Sequence, residues 1–231
     1  MKVSALVVNY NAGDHLMDCV RSLRMEGITD VVVADNDSTD GSREALLQDD
    51  RDVRVVPTGG NHGYGGGANR GADCISGAAQ ALLVLNPDTI VQPGAIKAMV
   101  EVLEADPEVG IVGPRLENPD GSLYPSARRF PSLVESLGHG FLVRVAPSNR
   151  WTRRYQMLDA EPERARYVDW ISGACFLIRR STWDAIGGFD ESYFMFLEDV
   201  DLCWRSGRAG WRVVYEPAAR VTHVVGVSRR R

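Results

Sequence analysis

Leu82-Leu83-Val84-Leu85-Asn86-Pro87-Asp88-Thr89-Ile90-Val91 is the stretch that decides how this chain folds. The apolar run Ala81 to Leu85 has the length and composition of a buried strand. Proline has no N–H and cannot extend a central strand, so Asn86-Pro87-Asp88 ends it sharply. One carboxylate, Asp88, is left at the C-terminal edge of a sheet, where open α/β sheets bind their ligands. A carboxylate in that place can hold a divalent cation, Mg²⁺ or Mn²⁺, against a diphosphate, because both ions take oxygen ligands and share them with phosphates. Taken alone, the tripeptide also reads as an ordinary turn.

The chain before it has the matching pattern. Val3 to Val8 reads as a first strand, ending at Asn9-Tyr10-Asn11. Leu16, Cys19, Val20 and Leu23 have helical spacing within Gly13 to Met25. Val31 to Ala34 is a second strand, followed by the polar turn Asp35-Asn36-Asp37-Ser38-Thr39-Asp40-Gly41. A helix over Arg43 to Gln48 and a strand over Val53 to Val56 complete a strand–helix alternation, which implies a parallel sheet with helical crossovers. Asn61-His62-Gly63-Tyr64-Gly65-Gly66-Gly67-Ala68-Asn69-Arg70-Gly71 reads as a loop whose glycines let backbone approach a ligand, leading into a helix that ends near Ala79. Its Gly63-x-Gly65-x-x-Ala68 formally matches a dinucleotide fingerprint, but it follows the third strand instead of the first.

Beyond Asp88, a helix is predicted over Pro93 to Glu104, a strand over Val109 to Val112 and a hairpin tip at Asn118-Pro119-Asp120-Gly121. Arg128 to Arg166 is weakly periodic and reads as a partly mobile connection with a short helix near Leu133 to Leu137. Tyr167 to Ile178 reads as a strand, a glycine break and a buried strand; Ser181 to Ile186 as a short helix. The aromatic run Tyr193-Phe194-Met195-Phe196 leads into Glu198, Asp199 and Asp201 at a helix start. Trp211 to Tyr215 and Arg220 to His223 are final strands.

Composition sets the bounds. The 231 residues suit one domain; 44% hydrophobic and 25% charged residues are those of an ordinary globular protein. A net charge of -5 gives no expectation of nucleic-acid binding. Cys19, Cys74, Cys175 and Cys203 are scattered, which argues against a zinc site or a disulfide framework and for a reduced, cytoplasmic setting. The N-terminal apolar run is too short for a signal-peptide core, and no stretch approaches the about 20 apolar residues that span a bilayer.

Acids in a first helical turn are favoured by the helix dipole at ~0.3–1 kcal/mol each, which is one account of Glu198, Asp199 and Asp201. The aromatic lead-in suggests another: carboxylates against a dry apolar wall, kept ionised by the helix N-terminus and available as a general base.

Val7-Val8-Asn9-Tyr10-Asn11, Asp35 to Gly41, Asn86-Pro87-Asp88, Ser172-Gly173-Ala174 and Phe194 to Leu202, in that order, resemble the family 2 inverting glycosyltransferases. The resemblance implies an α/β chain of GT-A fold, with a mostly parallel nucleotide-binding sheet flanked by helices and a mixed acceptor-side half. It implies one domain over residues 1–231, with 1–115 binding the nucleotide-sugar and 116–231 carrying acceptor binding and catalysis. The nearest branch is the bacterial rhamnosyltransferases acting on polyprenyl-diphosphate-linked N-acetylglucosamine, in cell-wall or surface-glycan synthesis. On that basis Val8, Asn9, Asp35, Asn61, Gly67, Asn69, Asn86 and Asp88 would bind a nucleoside-diphospho-sugar, dTDP-rhamnose by preference. Asp35 would meet the pyrimidine. Asn86 replaces the first acid of the family's D-x-D motif, so Asp88, joined by His223, would be the metal ligand. Trp170 and Gly173 would bind a lipid-linked or glycan acceptor. Asp199 would be the base, with Glu198 its acidic neighbour.

Other readings fit less well. A nicotinamide oxidoreductase needs its glycines at the first strand–helix junction, where Asn9-Tyr10-Asn11-Ala12-Gly13 stands. A sugar nucleotidyltransferase needs a glycine-rich basic loop near the N-terminus. A non-catalytic nucleotide-sugar-binding module, or a transferase of galactofuranose, glucose or N-acetylglucosamine, remains as an alternative. Arg144, Arg150, Arg153 and Arg154, with Trp151 and Tyr155, and the terminal Arg229, Arg230 and Arg231 suggest salt-sensitive contact with an anionic membrane face. The chain ends soon after His223, leaving room for a C-terminal acceptor or membrane element outside it. Nothing in it indicates an oligomeric state.

Overall fold

The computed structural model describes residues 1–130 and 162–224. Strand β1 (Val3–Asn9), helix α1 (His15–Met25), β2 (Val31–Asp35), α2 (Ser42–Asp49), β3 (Arg54–Pro57), α3 (Gly63–Ala72) and β4 (Ala81–Leu85) follow the expected alternation. Next come β5 (Thr89–Val91), α4 (Ala95–Ala105), β6 (Val109–Glu117), β7 (Leu123–Tyr124) and β8 (Ala127–Arg128). The later part holds β9 (Arg166–Val168), β10 (Trp170–Ile171), β11 (Cys175–Arg179), α5 (Arg180–Ile186), α6 (Glu198–Arg208) and β12 (Arg212–His223).

One sheet runs in the order β3-β2-β1-β4-β11-β6-β12-β5, with β7 on β6 and β9 on β12. The strands β3, β2, β1 and β4 are parallel. Strand β4 is closed to solvent on both faces, as its unbroken apolar sequence requires. Its side chains alternate between two cores. Leu83 and Leu85 pack with Leu16 and Leu23 of α1 and Met99 and Leu103 of α4. Leu82 and Val84 pack on the other face with Ala68 and Ala72 of α3, Trp183 and Phe189.

Strand β11 enters this sheet antiparallel, between β4 and β6. An antiparallel neighbour begins where the other strand ends: Cys175 pairs with Leu85. Ser172-Gly173-Ala174, just before β11, therefore lies at the same sheet edge as Asn86-Pro87-Asp88, and Asn86 N–H donates to the Ala174 carbonyl at 2.9 Å. Strand β12 arrives at this edge by another route. It runs parallel to β6 and antiparallel to β5, placing His223 opposite Thr89.

Three expectations need correction. The glycine-rich stretch forms helix α3 itself and ends at Ala72, well short of Ala79. Glycine in a helix costs about 1 kcal/mol relative to alanine, and packing offsets it here. A Cβ on Gly67 would come within 2.8 Å of Asn36 Oδ1 and 2.9 Å of Val8 Cγ1, and one on Gly71 would run into Leu6. The two final strands are one, β12, with a register shift between Glu216 and Arg220, where Pro217 cannot donate to the ladder. The helix α4 begins at Ala95, after Gly94 at φ 82°, instead of at Pro93. The hairpin tip at Asn118–Gly121 forms, joining β6 to β7. The four cysteines are free. The short helix near Leu133 to Leu137 and the basic stretches at Arg144 to Tyr155 and Arg229 to Arg231 lie outside the described residues. No helix among the described residues is long and apolar enough to cross a membrane.

Phe176, the second residue of β11, is 1% exposed and stacks edge-on against Phe189 at 6.2 Å. Phe176→Ala should lower unfolding free energy by about 3–5 kcal/mol, the range for deleting a buried phenyl ring. Denaturant titration measures it, and a loss under 1 kcal/mol would mean that β11 is not the keystone of the sheet.

Candidate active site

The floor of the site is built where β1 and β2 end. Asn9 and Asp35 are register partners, and both are fully buried. Asp35 accepts from Asn9 Nδ2 at 2.8 Å and from the Ser38 N–H at 3.2 Å, while its carbonyl takes the Thr58 N–H and hydroxyl at 3.0 Å each. Asn9 Nδ2 also reaches Ser38 and Ser42. Val8 lies against this floor and Gly67 presses on it from α3. The structure thus brings Val8, Asn9, Asp35 and Gly67 together. Asn61, exposed, accepts from the Gly63 N–H at the start of α3. Asn69 is committed elsewhere: both ends of its amide bond the Phe189 backbone, at 2.9 Å each.

The second part is the Asn86-Pro87-Asp88 edge. Asp88 and His223 are 5% and 6% exposed, and Asp88 Oδ1 lies 3.3 Å from His223 Nε2. That is contact without hydrogen-bond geometry: neither Asp88 Oδ1 nor His223 Nδ1 makes a hydrogen bond. Asn86 Nδ2 is 3.5 Å from the same imidazole nitrogen, and the Tyr124 ring packs edge-on to His223 at 5.3 Å. The Asp88 carbonyl accepts from the Val224 N–H, so strand pairing holds the two residues face to face. A buried carboxylate oxygen without a partner is unfavourable, and one cation touching both side chains relieves it. The donor set therefore fits a divalent ion, and its imidazole suits Mn²⁺ better than Mg²⁺. Among the described residues no three His, Cys, Asp or Glu side chains cluster, so an ion held by Asp88 and His223 would need further donors such as phosphate and water.

The third part is the acidic pair opening α6. Asp199 Oδ2 accepts from the Gly173 N–H at 2.9 Å and Oδ1 from the Val200 N–H at 2.9 Å. Burial nevertheless raises its pKa; those two amides and the positive charge of Arg128 oppose the rise. Glu198 is 8% exposed and its Oε2 has no hydrogen bond. Burial, with the charge of Asp199 adding to it, lifts Glu198 to about 7. The helix N-terminus does not hold both acids in the ordinary carboxylate range, as the sequence suggested it would.

Nor is the aromatic lead-in the wall of a dry pocket. Phe194, Met195, Phe196 and Leu197 are 54%, 46%, 59% and 59% exposed. Phe196 and Leu197 adopt φ of 67° and 73°, the left-handed region that apolar side chains rarely enter, and such strain gathers at functional sites. Asp199 instead lies against the Gly173 backbone, and α6 packs on β10 behind it. Trp170 is part of that support. It is 4% exposed, donates through Nε1 to the Arg129 carbonyl at 2.8 Å and carries the Arg128 guanidinium 4.9 Å from its ring centre. Tyr64 and Arg128 escaped sequence reasoning altogether. Each is brought to the acids by a contact far away in the chain, which no local spacing encodes.

A parallel sheet with a carboxylate and a histidine at its C-terminal edge, beside an acidic pair opening α6, has the architecture of the GT-A glycosyltransferases. Residues 2–230 match the model of the family described as glycosyltransferase like family 2, and the chain belongs to that family. It is 42% identical over 229 residues to the N-acetylglucosaminyl-diphospho-decaprenol L-rhamnosyltransferase of Mycobacterium tuberculosis, over 94% of this chain and 74% of that one. The fold is shared with GalNAc-T7, solved with UDP, GalNAc and Mn²⁺, at a TM-score of 0.72 and 16% identity, over 96% of this chain and 43% of that one. It is shared too with the mannosyltransferase PcManGT of Pyrobaculum calidifontis, solved with GDP-Man and Mn²⁺, at a TM-score of 0.66 and 18% identity, over 99% of this chain and 58% of that one.

Burial favours the protonated form of Glu198, so the folded protein binds this proton more tightly than the unfolded chain does. The associated stability is complete below about pH 4.5 and is lost as pH rises through about 7. Asp199 shifts in the same direction. Glu198→Gln should therefore gain on wild type as pH rises from 5 to 8, by on the order of 2–3 kcal/mol. Thermal melts of both proteins across that range are the measurement, and a constant difference between them would place Glu198 in solvent.

Proposed function

We propose that this protein transfers L-rhamnose, with inversion, from a nucleoside-diphospho-sugar to N-acetylglucosamine carried on a polyprenyl diphosphate. The observation that carries the reading is the acidic pair of α6, Glu198 buried and Asp199 half-buried, tied through Gly173 to the sheet edge that bears Asp88. The similarity to the mycobacterial rhamnosyltransferase supports the choice of sugar and acceptor.

In this reading the nucleotide lies on the floor formed by Val8, Asn9 and Asp35, with its diphosphate toward Asp88. Asp88 and His223 are the residues that would hold Mg²⁺ or Mn²⁺. A cation bound there supplies Lewis-acid neutralisation of the diphosphate as its charge grows. Asp199 is the base. Its two backbone hydrogen bonds fix the carboxylate and oppose the rise in pKa that burial causes, while further lone pairs stay available to an acceptor hydroxyl. Asp199 takes the hydroxyl proton; the acceptor oxygen attacks the anomeric carbon from the side opposite the diphosphate. The new C–O bond forms as the old one breaks, through an oxocarbenium-like transition state, and the electron pair leaves on the diphosphate. A single displacement inverts the centre. Glu198, lifted to about 7, spends part of its time protonated at neutral pH and so adds less than a full second negative charge beside the base. Peripheral contact with a membrane surface belongs to the same reading, because a polyprenyl-linked diphosphate lies at the headgroup level.

Asp199→Asn should retain nucleoside-diphosphate binding and lose transfer by ~10²–10⁴-fold, the weight of general-base catalysis. Radiolabelled transfer to a short-chain prenyl-diphosphate-N-acetylglucosamine measures it. A variant active within tenfold of wild type removes Asp199 from the chemistry.

Asp88→Ala should weaken thymidine diphosphate binding in the presence of Mn²⁺ and change little once chelator is added; His223→Ala should act in the same direction, more mildly. Calorimetric titration with and without chelator gives the comparison. Equal affinity under both conditions in wild type would leave Asp88 without a cation.

A further inference from the structure

We propose that Tyr64 is a positioning residue for Asp199, acting through the backbone of Gly173. The inference rests on the reading of Asp199 as the base. The Tyr64 hydroxyl donates to the Gly173 carbonyl at 2.6 Å, and the Gly173 N–H donates to Asp199 Oδ2 at 2.9 Å. The two side chains flank the same residue: a Cβ added to Gly173 would lie 3.3 Å from Asp199 Cβ and 3.4 Å from Tyr64 Cε1. Glycine has the widest backbone freedom of any residue, so an amide at this position points at a fixed target only if both of its sides are anchored. Asp199 takes one side and Tyr64 the other.

Tyr64 is itself held firmly. Its ring meets Phe189 edge-on at 5.6 Å. The preceding Gly63, at φ 71°, packs so closely on the Phe194 carbonyl that no side chain fits there. Burial, with the negative charges of Glu198, Asp199 and Asp88 adding to it, raises the phenol well above its ordinary range, so it remains a hydrogen-bond donor throughout the working pH. Helix α3 thus presses on the nucleotide floor through Gly67 and supports the base through Tyr64, one turn apart.

The test is Tyr64→Phe in the full chain, beside Asp199→Asn. Charged or titratable groups facing Asp199 include Glu198, Asp201 and Cys203 on its own helix, Arg128 on β8 and Tyr64 on α3. Removing the hydroxyl frees the Gly173 backbone and weakens the N–H bond that opposes the upward shift of Asp199. The expected result is a fall in kcat of ~10–100-fold, the cost of a small misplacement. Donor KM and the thermal shift by thymidine diphosphate with Mn²⁺ should stay within about twofold of wild type. The acidic limb of the kcat–pH profile should move to higher pH. Near-wild-type kcat with an unmoved limb, while Asp199→Asn is inactive, overturns the inference alone. So does a parallel loss of nucleotide affinity and rate with the limb in place, which is what a disordered α3 gives. A fully active Asp199→Asn overturns the underlying reading instead. Should Tyr64→Phe prove too unstable to assay, Gly173→Ala puts a methyl group between the two side chains and should move the same limb; an unmoved limb there also overturns the inference.

Discussion

The hydrogen bond from Asn86 N–H to the Ala174 carbonyl is the contact on which the site depends. It joins the end of β4 to the start of β11, two strands far apart in the chain. One residue before Ala174, the Gly173 N–H reaches Asp199. Three adjacent backbone groups therefore tie the edge carrying Asp88 to the helix carrying the acidic pair. The antiparallel insertion of β11 makes this geometry. A strand in that slot running the other way would deliver Ser172-Gly173-Ala174 to the opposite edge of the sheet.

That arrangement gathers negative charge in a buried place. Glu198 and Asp88 are buried and Asp199 is half-buried, and Asp199 alone of the three carries a backbone hydrogen bond on each oxygen. Unsatisfied carboxylate oxygens are unfavourable in a folded interior. The unsatisfied oxygens are Asp88 Oδ1 and Glu198 Oε2, one at the sheet edge and one at the start of α6. The exposed run Phe194 to Leu197 fits the same picture. It holds two left-handed, non-glycine residues directly before the acids, a strained approach that folding alone would not favour.

The glycine-rich segment shows how one composition serves two purposes. Glycines that look like a phosphate-cradling loop are here the contact face of a buried helix. Gly67 lies against Val8 and Asn36, Gly65 against Phe189 and Gly71 against Leu6. Sequence spacing cannot separate these cases, because both require the absence of a Cβ. The difference lies in what approaches the glycine, which is a tertiary fact.

The alternation of strands and helices to Leu85, the abrupt stop at Asn86-Pro87-Asp88, the helical face of α1 and the acids opening α6 were all determined by the sequence itself. Each follows from local periodicity, from proline's missing donor or from the helix dipole, and these operate within a few residues. The positions of Val8, Asn9, Asp35 and Asp88 at one sheet edge were legible for the same reason: a parallel sheet delivers all its strand ends to one side. Only the tertiary structure decided that His223 would face Asp88, since β12 is brought there by pairing with β6 and β5 across more than a hundred residues. It alone decided that Trp170 would be an internal support, that the half-buried Asn69 would bond the Phe189 backbone, that the aromatic lead-in would face water, and that Tyr64 and Arg128 would lie beside Asp199. Burial and long-range hydrogen bonds set those roles, and both depend on what the rest of the chain brings into contact.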